Sequence, residues 1–319
     1  MEDFRMYNID MEDIDPEKTY DLIVLGGGPT AIGCAIYAAR FALDVLVIGK
    51  IFGGLIATTH LVENYPGITS TSGQGLMEMF KDHMNSLRIP YITDEIRSIE
   101  KTSDNFILHS FFQKFKAKSV VIATGSERKK LGVPGEEEFA GRGVSYCATC
   151  DGPFYKDKTV CVIGGSDSAA KEALFLSQNV KKVYIIYRGE EIRAEPINKK
   201  RVKANHKIEI IYRTNVVEIK GDKTVKSVTF DNGSEFEVDG VFIEVGSIPN
   251  SDIAKHIGVK TNDKDEIIIT RKSETNLPGI FAAGDVADAP FKQAITGVSE
   301  GVIAAYSAFD FIKKMDIEY

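Results

Sequence analysis

Two cysteines separated by two residues, Cys147-Ala148-Thr149-Cys150, are followed at once by Asp151-Gly152-Pro153. A pair at this spacing can close into a small disulfide ring and, on opening to two thiols, carries two electrons. Its exchange chemistry is attack of a thiolate on another disulfide, with the mixed disulfide resolved by the second sulfur. Asp151 bears on that chemistry, because a carboxylate beside a thiol disfavours the thiolate and can store a proton instead. The plainer alternative for Asp151 is a turn residue in an Asp-Gly-Pro corner. The alternative for the cysteines is a metal site. A structural zinc site needs four ligands, whereas there is no second Cys-x-x-Cys and no histidine in the next fifty residues; no metal is therefore expected. Four cysteines in 319 residues are also too few for a disulfide scaffold. Cys34 and Cys161 lie in apolar stretches and read as small buried packing residues.

The elements that must position this pair show an internal echo. Asp21-Leu22-Ile23-Val24-Leu25 reads as a buried strand, followed by Gly26-Gly27-Gly28-Pro29-Thr30-Ala31, a helix over residues 32–40 and a second parallel strand, Val45-Leu46-Val47-Ile48. In such a loop Gly26 allows the tight turn, Gly28 lets the backbone approach a pyrophosphate, and the small Ala31 lets the helix sit close on the strand. The helix N-terminus then offers amides and a positive dipole end to the phosphates. The unit recurs as Val160-Cys161-Val162-Ile163, Gly164-Gly165-Ser166-Asp167-Ser168-Ala169, a helix to about Ser177 and a strand over residues 183–187. Ser166 stands where the second glycine belongs, and its Cβ crowds the phosphate position. The second copy is thus either a weak nucleotide site or a unit kept for architecture.

Three further apolar runs end in glycine turns: Ser119-Val120-Val121-Ile122-Ala123-Thr124-Gly125, Val241-Phe242-Ile243-Glu244-Val245-Gly246, and Gly279-Ile280-Phe281-Ala282-Ala283-Gly284-Asp285. Residues 125–135 and 246–250 carry glycine, proline and charge and read as linkers. The expected fold is α/β, with two Rossmann-like dinucleotide-binding domains, the second inserted into the first: residues 1–124 and 250–319 form one, residues 125–249 the other. A net charge of −7 argues against a nucleic-acid partner. No apolar run reaches the roughly 20 residues a membrane helix needs. Residues 1–15 are acidic and polar, without the features of a signal or transit peptide, and are expected to be a loose lead on a cytoplasmic protein.

In their order along the chain, several motifs closely resemble the low-molecular-weight thioredoxin reductases, two-dinucleotide-binding-domain flavoproteins. They are the Gly26 loop, Gly53-Gly54-Leu55, Val62-Glu63-Asn64-Tyr65-Pro66-Gly67, Ala123-Thr124-Gly125, Cys147-Ala148-Thr149-Cys150-Asp151-Gly152, the Gly164 loop, Gly284-Asp285-Val286 and Lys292-Gln293-Ala294. The resemblance implies that the discontinuous domain binds FAD. Gly26, Gly28, Ala31, Gly54, Thr124 and Gly125 would line the cofactor, Asp285 would accept from its ribityl chain, Gln293 and Ala294 would run along the flavin, and Asn64 would neighbour the ring. Asp285 also reads as an N-cap and Asn64 as a turn former. The resemblance further implies that Cys150 faces the flavin, that Cys147 attacks the disulfide of thioredoxin or a similar small protein, that Asp151 is the general acid, and that the protein is a homodimer. Serving both flavin and partner is expected to require rotation of the inserted domain.

Two departures matter. Gly49 stands where an acidic residue often holds the adenosine ribose. NADPH-using members of this family carry His-Arg-Arg and a further arginine after the second strand of the inserted domain. Here the run is Tyr187-Arg188-Gly189, with Glu190 and Glu191 before Arg193. With Gly164, Gly165, Ser166, Arg188 and Arg193 as the candidate nicotinamide-nucleotide site, use of NADPH or NADH is expected to be poor. A dithiol oxidase that hands electrons to oxygen and a non-catalytic flavin-bound sensor remain as alternatives.

Overall fold

Alternation of buried side chains builds the first sheet. In the computed structural model, which describes residues 18–315 and 317, Leu22 and Val24 of the first strand enter one core and Ile23 and Leu25 another. The expected loose lead, residues 1–15, lies outside the described residues. In chain order the first elements are β1 (Thr19–Leu25), α1 (Pro29–Arg40), β2 (Val45–Gly49), α2 (Gly73–Ser86), β3 (Tyr91–Thr93), β4 (Ser98–Lys101), β5 (Phe106–His109) and β6 (Lys114–Ile122). Next come β7 (Ser126–Arg128), β8 (Val144–Ser145), α3 (Ala148–Asp151), β9 (Thr159–Ile163), α4 (Asp167–Leu176), β10 (Lys182–Tyr187), α5 (Pro196–Ala204) and β11 (Ile208–Tyr212). The remainder are β12 (Val216–Gly221), β13 (Val225–Phe230), β14 (Glu235–Glu237), β15 (Gly240–Ile243), β16 (Ser247–Pro249), α6 (Asp252–His256), β17 (Ile280–Ala282) and α7 (Ala294–Met315).

The fold is α/β and divides into two Rossmann-like units, residues 1–127 with 249–319 and residues 128–248. In the first unit the sheet runs β3-β2-β1-β6-β5-β4, with β17 on the far half of β6. β1, β2, β6 and β17 are mutually parallel, with Val24 opposite Val47 and Val121, and Val121 opposite Phe281. Their carboxyl ends therefore deliver Gly26, Gly49, Ala123 and Ala283 to one edge, where ligands of open α/β sheets bind. Helix α7 lies along α1 because Gly297 and Gly301 carry no side chain. A Cβ at either would come within 2.4 Å of an oxygen of Thr30. That close crossing brings the N-terminus of α7 beside the N-terminus of α1.

The second unit repeats the plan with the parallel order β11-β10-β9-β15-β8 and adds the antiparallel sheet β12-β13-β14. Gly164 repeats the role of Gly26. Each has φ above +130°, and a Cβ on either would sit 2.2 Å from a carbonyl oxygen, that of Ala123 for Gly26 and of Glu244 for Gly164. At the two chain crossings β7 and β16 pair as a two-stranded sheet. Beyond them the glycine- and proline-containing stretch is ordered by Glu136. Its buried carboxylate accepts from the backbone N–H of Leu131 and Gly132. The linker expectation thus fails past Arg128, because a buried anion organises the turn that composition alone suggests is loose.

Candidate functional site: a cofactor edge and a disulfide turn

The edge of the first unit collects most of the residues singled out for FAD. Gly28 precedes α1 with φ −85° and ψ 178°, no side chain caps the helix, and a Cβ at Gly28 would meet nothing within 4 Å. Gly125 is likewise open, at φ +66°. Gly54, at φ +60°, opens a 3-10 turn whose backbone approaches Gly28, with its Cβ position 3.3 Å from the Gly28 Cα. Ala31 is fully buried under the sheet. Thr124 is clamped by a residue far along the chain. Its Oγ donates to the Asn250 carbonyl at 2.8 Å, and Asn250 Nδ2 donates back to the Thr124 carbonyl at 3.0 Å.

Asn64 and Gln293, 229 residues apart, meet directly: Asn64 Nδ2 donates to Gln293 Oε1 at 3.0 Å. Ala294 begins α7. Asp285 lies in the 3-10 turn Gly284–Val286, so the N-cap alternative does not hold for it. No donor reaches its carboxylate among the described residues, and burial pushes its carboxyl up against the opposing pull of Lys292. Glu300, missed in the sequence, and Lys292 of the Lys-Gln-Ala motif hold that turn. Glu300 Oε2 accepts from Gly284 N at 2.8 Å, and Lys292 Nζ donates to the Asp285 carbonyl at 2.9 Å while pairing with Glu266. The regular spacing of Gly297, Glu300 and Gly301 on one helix is the signal that could have found Glu300. An unpartnered half-buried carboxylate, uncapped helix amides and glycines facing free space are what the hydroxyls and phosphates of a dinucleotide require, so the residues fit FAD.

Gly49 explains its own departure. A Cβ there would lie 2.8 Å from the Gly26 carbonyl carbon and the Gly27 nitrogen, and 2.9 Å from the Tyr91 hydroxyl. That hydroxyl donates to the Gly49 carbonyl at 3.0 Å. Close packing of the glycine loop on β2, rather than a missing contact, excludes an acid at this position.

In the second unit Cys147 and Cys150 form a disulfide, with Cα atoms 5.3 Å apart. Cys147 N-caps α3, its Sγ accepting from Cys150 N at 3.2 Å, and its own N–H donates to Ser145 Oγ at 3.0 Å. Cys150 is exposed and Cys147 half-buried; Asp151 closes the same turn. The flanking Tyr146 donates its hydroxyl to Glu136 at 2.6 Å, so the anion that orders the turn after β7 also anchors the cysteine loop. Cys34 and Cys161 are buried, and burial pushes both thiols far up, which makes them inert.

Comparison with known proteins decides the family. Residues 20–301 match the pyridine nucleotide-disulphide oxidoreductases. The chain belongs to that family. Thioredoxin reductase of Bacillus subtilis (strain 168) is 37% identical over 306 residues, 94% of this chain and 96% of that protein. Among solved structures, Lactococcus lactis thioredoxin reductase matches with TM-score 0.90 at 36% identity, covering 93% of this chain and 100% of the other. T. acidophilum thioredoxin reductase matches with TM-score 0.88 at 38% identity over 92% and 99%. A ferredoxin-flavin thioredoxin reductase of Clostridium acetobutylicum matches with TM-score 0.53 at 31% identity over 94% and 99%.

In this oxidoreductase the second glycine loop differs from the first at Ser166, which stands where the first has Gly28. Ser166 caps α4, its Oγ accepting from Ala169 N at 3.4 Å. The ring of Tyr187 lies over Gly165, so close that a Cβ there would sit 2.4 Å from it. Arg193 N donates to the Gly165 carbonyl at 2.6 Å, while the Arg188 and Arg193 side chains are exposed. Glu190 and Glu191 are exposed, with Arg213 pairing Glu190 at 3.0 Å and Lys199 pairing Glu191 at 2.9 Å.

Proposed function

We propose that the protein is an FAD-dependent thioredoxin-disulfide reductase, reducing thioredoxin or a similar small dithiol protein through Cys147 and Cys150. The observation that carries this reading is the Cys147–Cys150 disulfide on a turn of one dinucleotide-fold unit, in a chain whose other unit presents a glycine-lined, carboxylate-bearing cofactor edge. Gly26, Gly28, Ala31, Gly54, Asn64, Thr124, Gly125, Asp285, Gln293 and Ala294 would hold the FAD. Bound there, FAD would supply a two-electron store able to reduce the Cys147–Cys150 disulfide.

The chain's own residues carry the exchange. The Cys147 thiolate attacks one sulfur of the partner disulfide, forming a mixed disulfide and releasing a partner thiolate, which takes a proton from Asp151. The Cys150 thiol gives its proton back to Asp151 and attacks Cys147 Sγ, restoring the Cys147–Cys150 disulfide and releasing the second partner thiolate, which takes from water the proton that Cys147 lost on forming its thiolate. One dithiol becomes a disulfide and one disulfide a dithiol, so electrons and atoms balance. Ser145 and Glu136 keep the loop in place by holding Cys147 N and Tyr146.

Use of NADPH and NADH is poor on this reading, because Tyr187 covers Gly165, Ser166 caps the helix that would meet the pyrophosphate, and two of the four expected cationic positions are absent. The relative named for ferredoxin favours a small one-electron carrier as donor. Homodimer formation is supported by the exposed Tyr37 and Tyr306 on α1 and α7, flanking the stacked Phe41–Phe309 pair. A cytoplasmic location follows from the redox chemistry, which needs reduced thiols; among the described residues no helix is long and apolar enough to cross a membrane. The test is anaerobic. The yellow protein is titrated with dithionite, then mixed with oxidised thioredoxin. Flavin reoxidation that is abolished in C147S supports the reading, and reoxidation that survives C147S with C150S overturns it.

A further inference from the structure

The inserted unit holds a carboxyl that the exchange chemistry above leaves unused. Glu172 lies on α4 with its side chain 14% exposed. Its Oε1 accepts from Ala148 N and from an Arg128 guanidinium nitrogen, both at 3.4 Å. Its Oε2 is buried without a hydrogen-bond partner. Ala148 is the residue after Cys147 and the first of α3, so the contact ties the cysteine turn to α4. Arg128, on β7, also pairs with Glu244, which is 8% exposed. Burial pushes Glu172 up to about 7, while Arg128 and the Ala148 amide pull it down. The other charges on elements packed against α4 are Asp151 on α3, Lys182 on β10, and Lys199, Lys200, Arg201 and Lys203 on α5; on α4 itself Lys171 is paired with Asp167. Of these opposite charges, Arg128 is the one that reaches the Glu172 carboxylate.

We infer that Glu172 is a positioning residue for the Cys147–Cys150 turn and that its ionisation sets the thiolate fraction of Cys147. The inference rests on the proposal that Cys147 is the exchange thiol. The sign follows from charge. Ionised Glu172 holds the Ala148 amide firmly but disfavours a neighbouring thiolate; protonated, it leaves the thiolate unopposed. Glu172→Gln separates the two effects. The amide oxygen still accepts from Ala148 N, and Arg128 keeps Glu244, while the charge is gone.

The test is alkylation of the reduced full-length protein with iodoacetamide between about pH 5.5 and 9, with the Cys147 peptide quantified by mass. Cys34 and Cys161 are silent because they are buried. The wild-type rate is expected to rise in two ionisations, one near neutrality, and E172Q in one. E172Q should react roughly three- to tenfold faster than wild type near pH 8 and equally fast near pH 5.5. Superimposable profiles overturn the inference. If E172Q does not fold, the wild-type profile decides, since a single ionisation overturns it. The same profile in D151N separates the two carboxyls: a neutral inflection that persists there supports Glu172, and one that vanishes overturns it. Failure of the exchange assignment reads out separately, as thioredoxin turnover that survives C147S.

Discussion

Restoring a grip on the 2′-phosphate of NADPH is expected to need two substitutions that work only together. The His-Arg-Arg run that the family resemblance implies for NADPH use would place histidine at Tyr187 and arginine at Gly189. A Cβ at Gly189 would lie 2.6 Å from Tyr187 Cε1, 2.8 Å from its Cζ and 3.0 Å from its hydroxyl oxygen. G189R alone therefore collides with the ring, which is itself confined by Gly165 on its other side. A hydrogen bond to a charged group contributes about 1.5–3 kcal/mol, and each 1.4 kcal/mol is tenfold in affinity. The guanidinium is exposed, so the lower end applies to each recovered group. Y187H with G189R should tighten binding of 2′,5′-ADP by roughly 100-fold, while G189R alone, blocked by the ring, gains less than about threefold. Calorimetric titration with 2′,5′-ADP measures this without nicotinamide or flavin chemistry. Refutation is direct: a G189R single variant that captures the whole gain shows that Tyr187 does not close the site, and a double variant with no gain shows that cation count is not what is missing.

Gly28→Ala should leave stability within about 0.5 kcal/mol of wild type, because its backbone is ordinary and its Cβ meets nothing, yet should lose FAD. Gly26→Ala should instead destabilise by at least about 3 kcal/mol through a backbone collision at φ +135°; thermal melting and the yellow absorbance of the purified variants separate the two. Glu172 has a folded pKa raised above its ordinary 4.5 to about 7, so its contribution to stability is full below about pH 4.5 and lost as pH rises through 7. Wild type should therefore lose about 3 kcal/mol relative to E172Q between pH 4.5 and 8, read from urea melts at the two ends; parallel curves contradict it.

Residues that act through their own type and local spacing were legible in the sequence. Apolar runs ending in glycine announced β1, β6, β9, β15 and β17, and the cysteine spacing announced the disulfide. Residues that act through a distant neighbour were not. Glu300 is one of several polar residues on α7 and gains meaning only when Gly284 is placed 2.8 Å away. Asn250 read as the edge of a linker, and its clamp on Thr124 spans 126 residues. The partners of Glu190 and Glu191, Arg213 and Lys199, were equally hidden in the sequence.

The paired glycine loops separate what the fold demands from what a ligand demands. At the first position both copies face the same steric lock, a carbonyl oxygen 2.2 Å from any Cβ, and both keep glycine. At the third position the fold asks for nothing: Gly28 faces open space, and Ser166 is accommodated with its hydroxyl turned back onto Ala169 N. Only a phosphate lying against the backbone requires glycine there. A loop that retains the first glycine and gives up the third has therefore kept its strand-to-helix turn while releasing the constraint a dinucleotide imposes. The cysteine turn of the same unit is held by Ser145, Glu136 and Glu172, none of which belongs to that loop. The residues that hold the cysteine turn therefore make no demand on the third position of that loop.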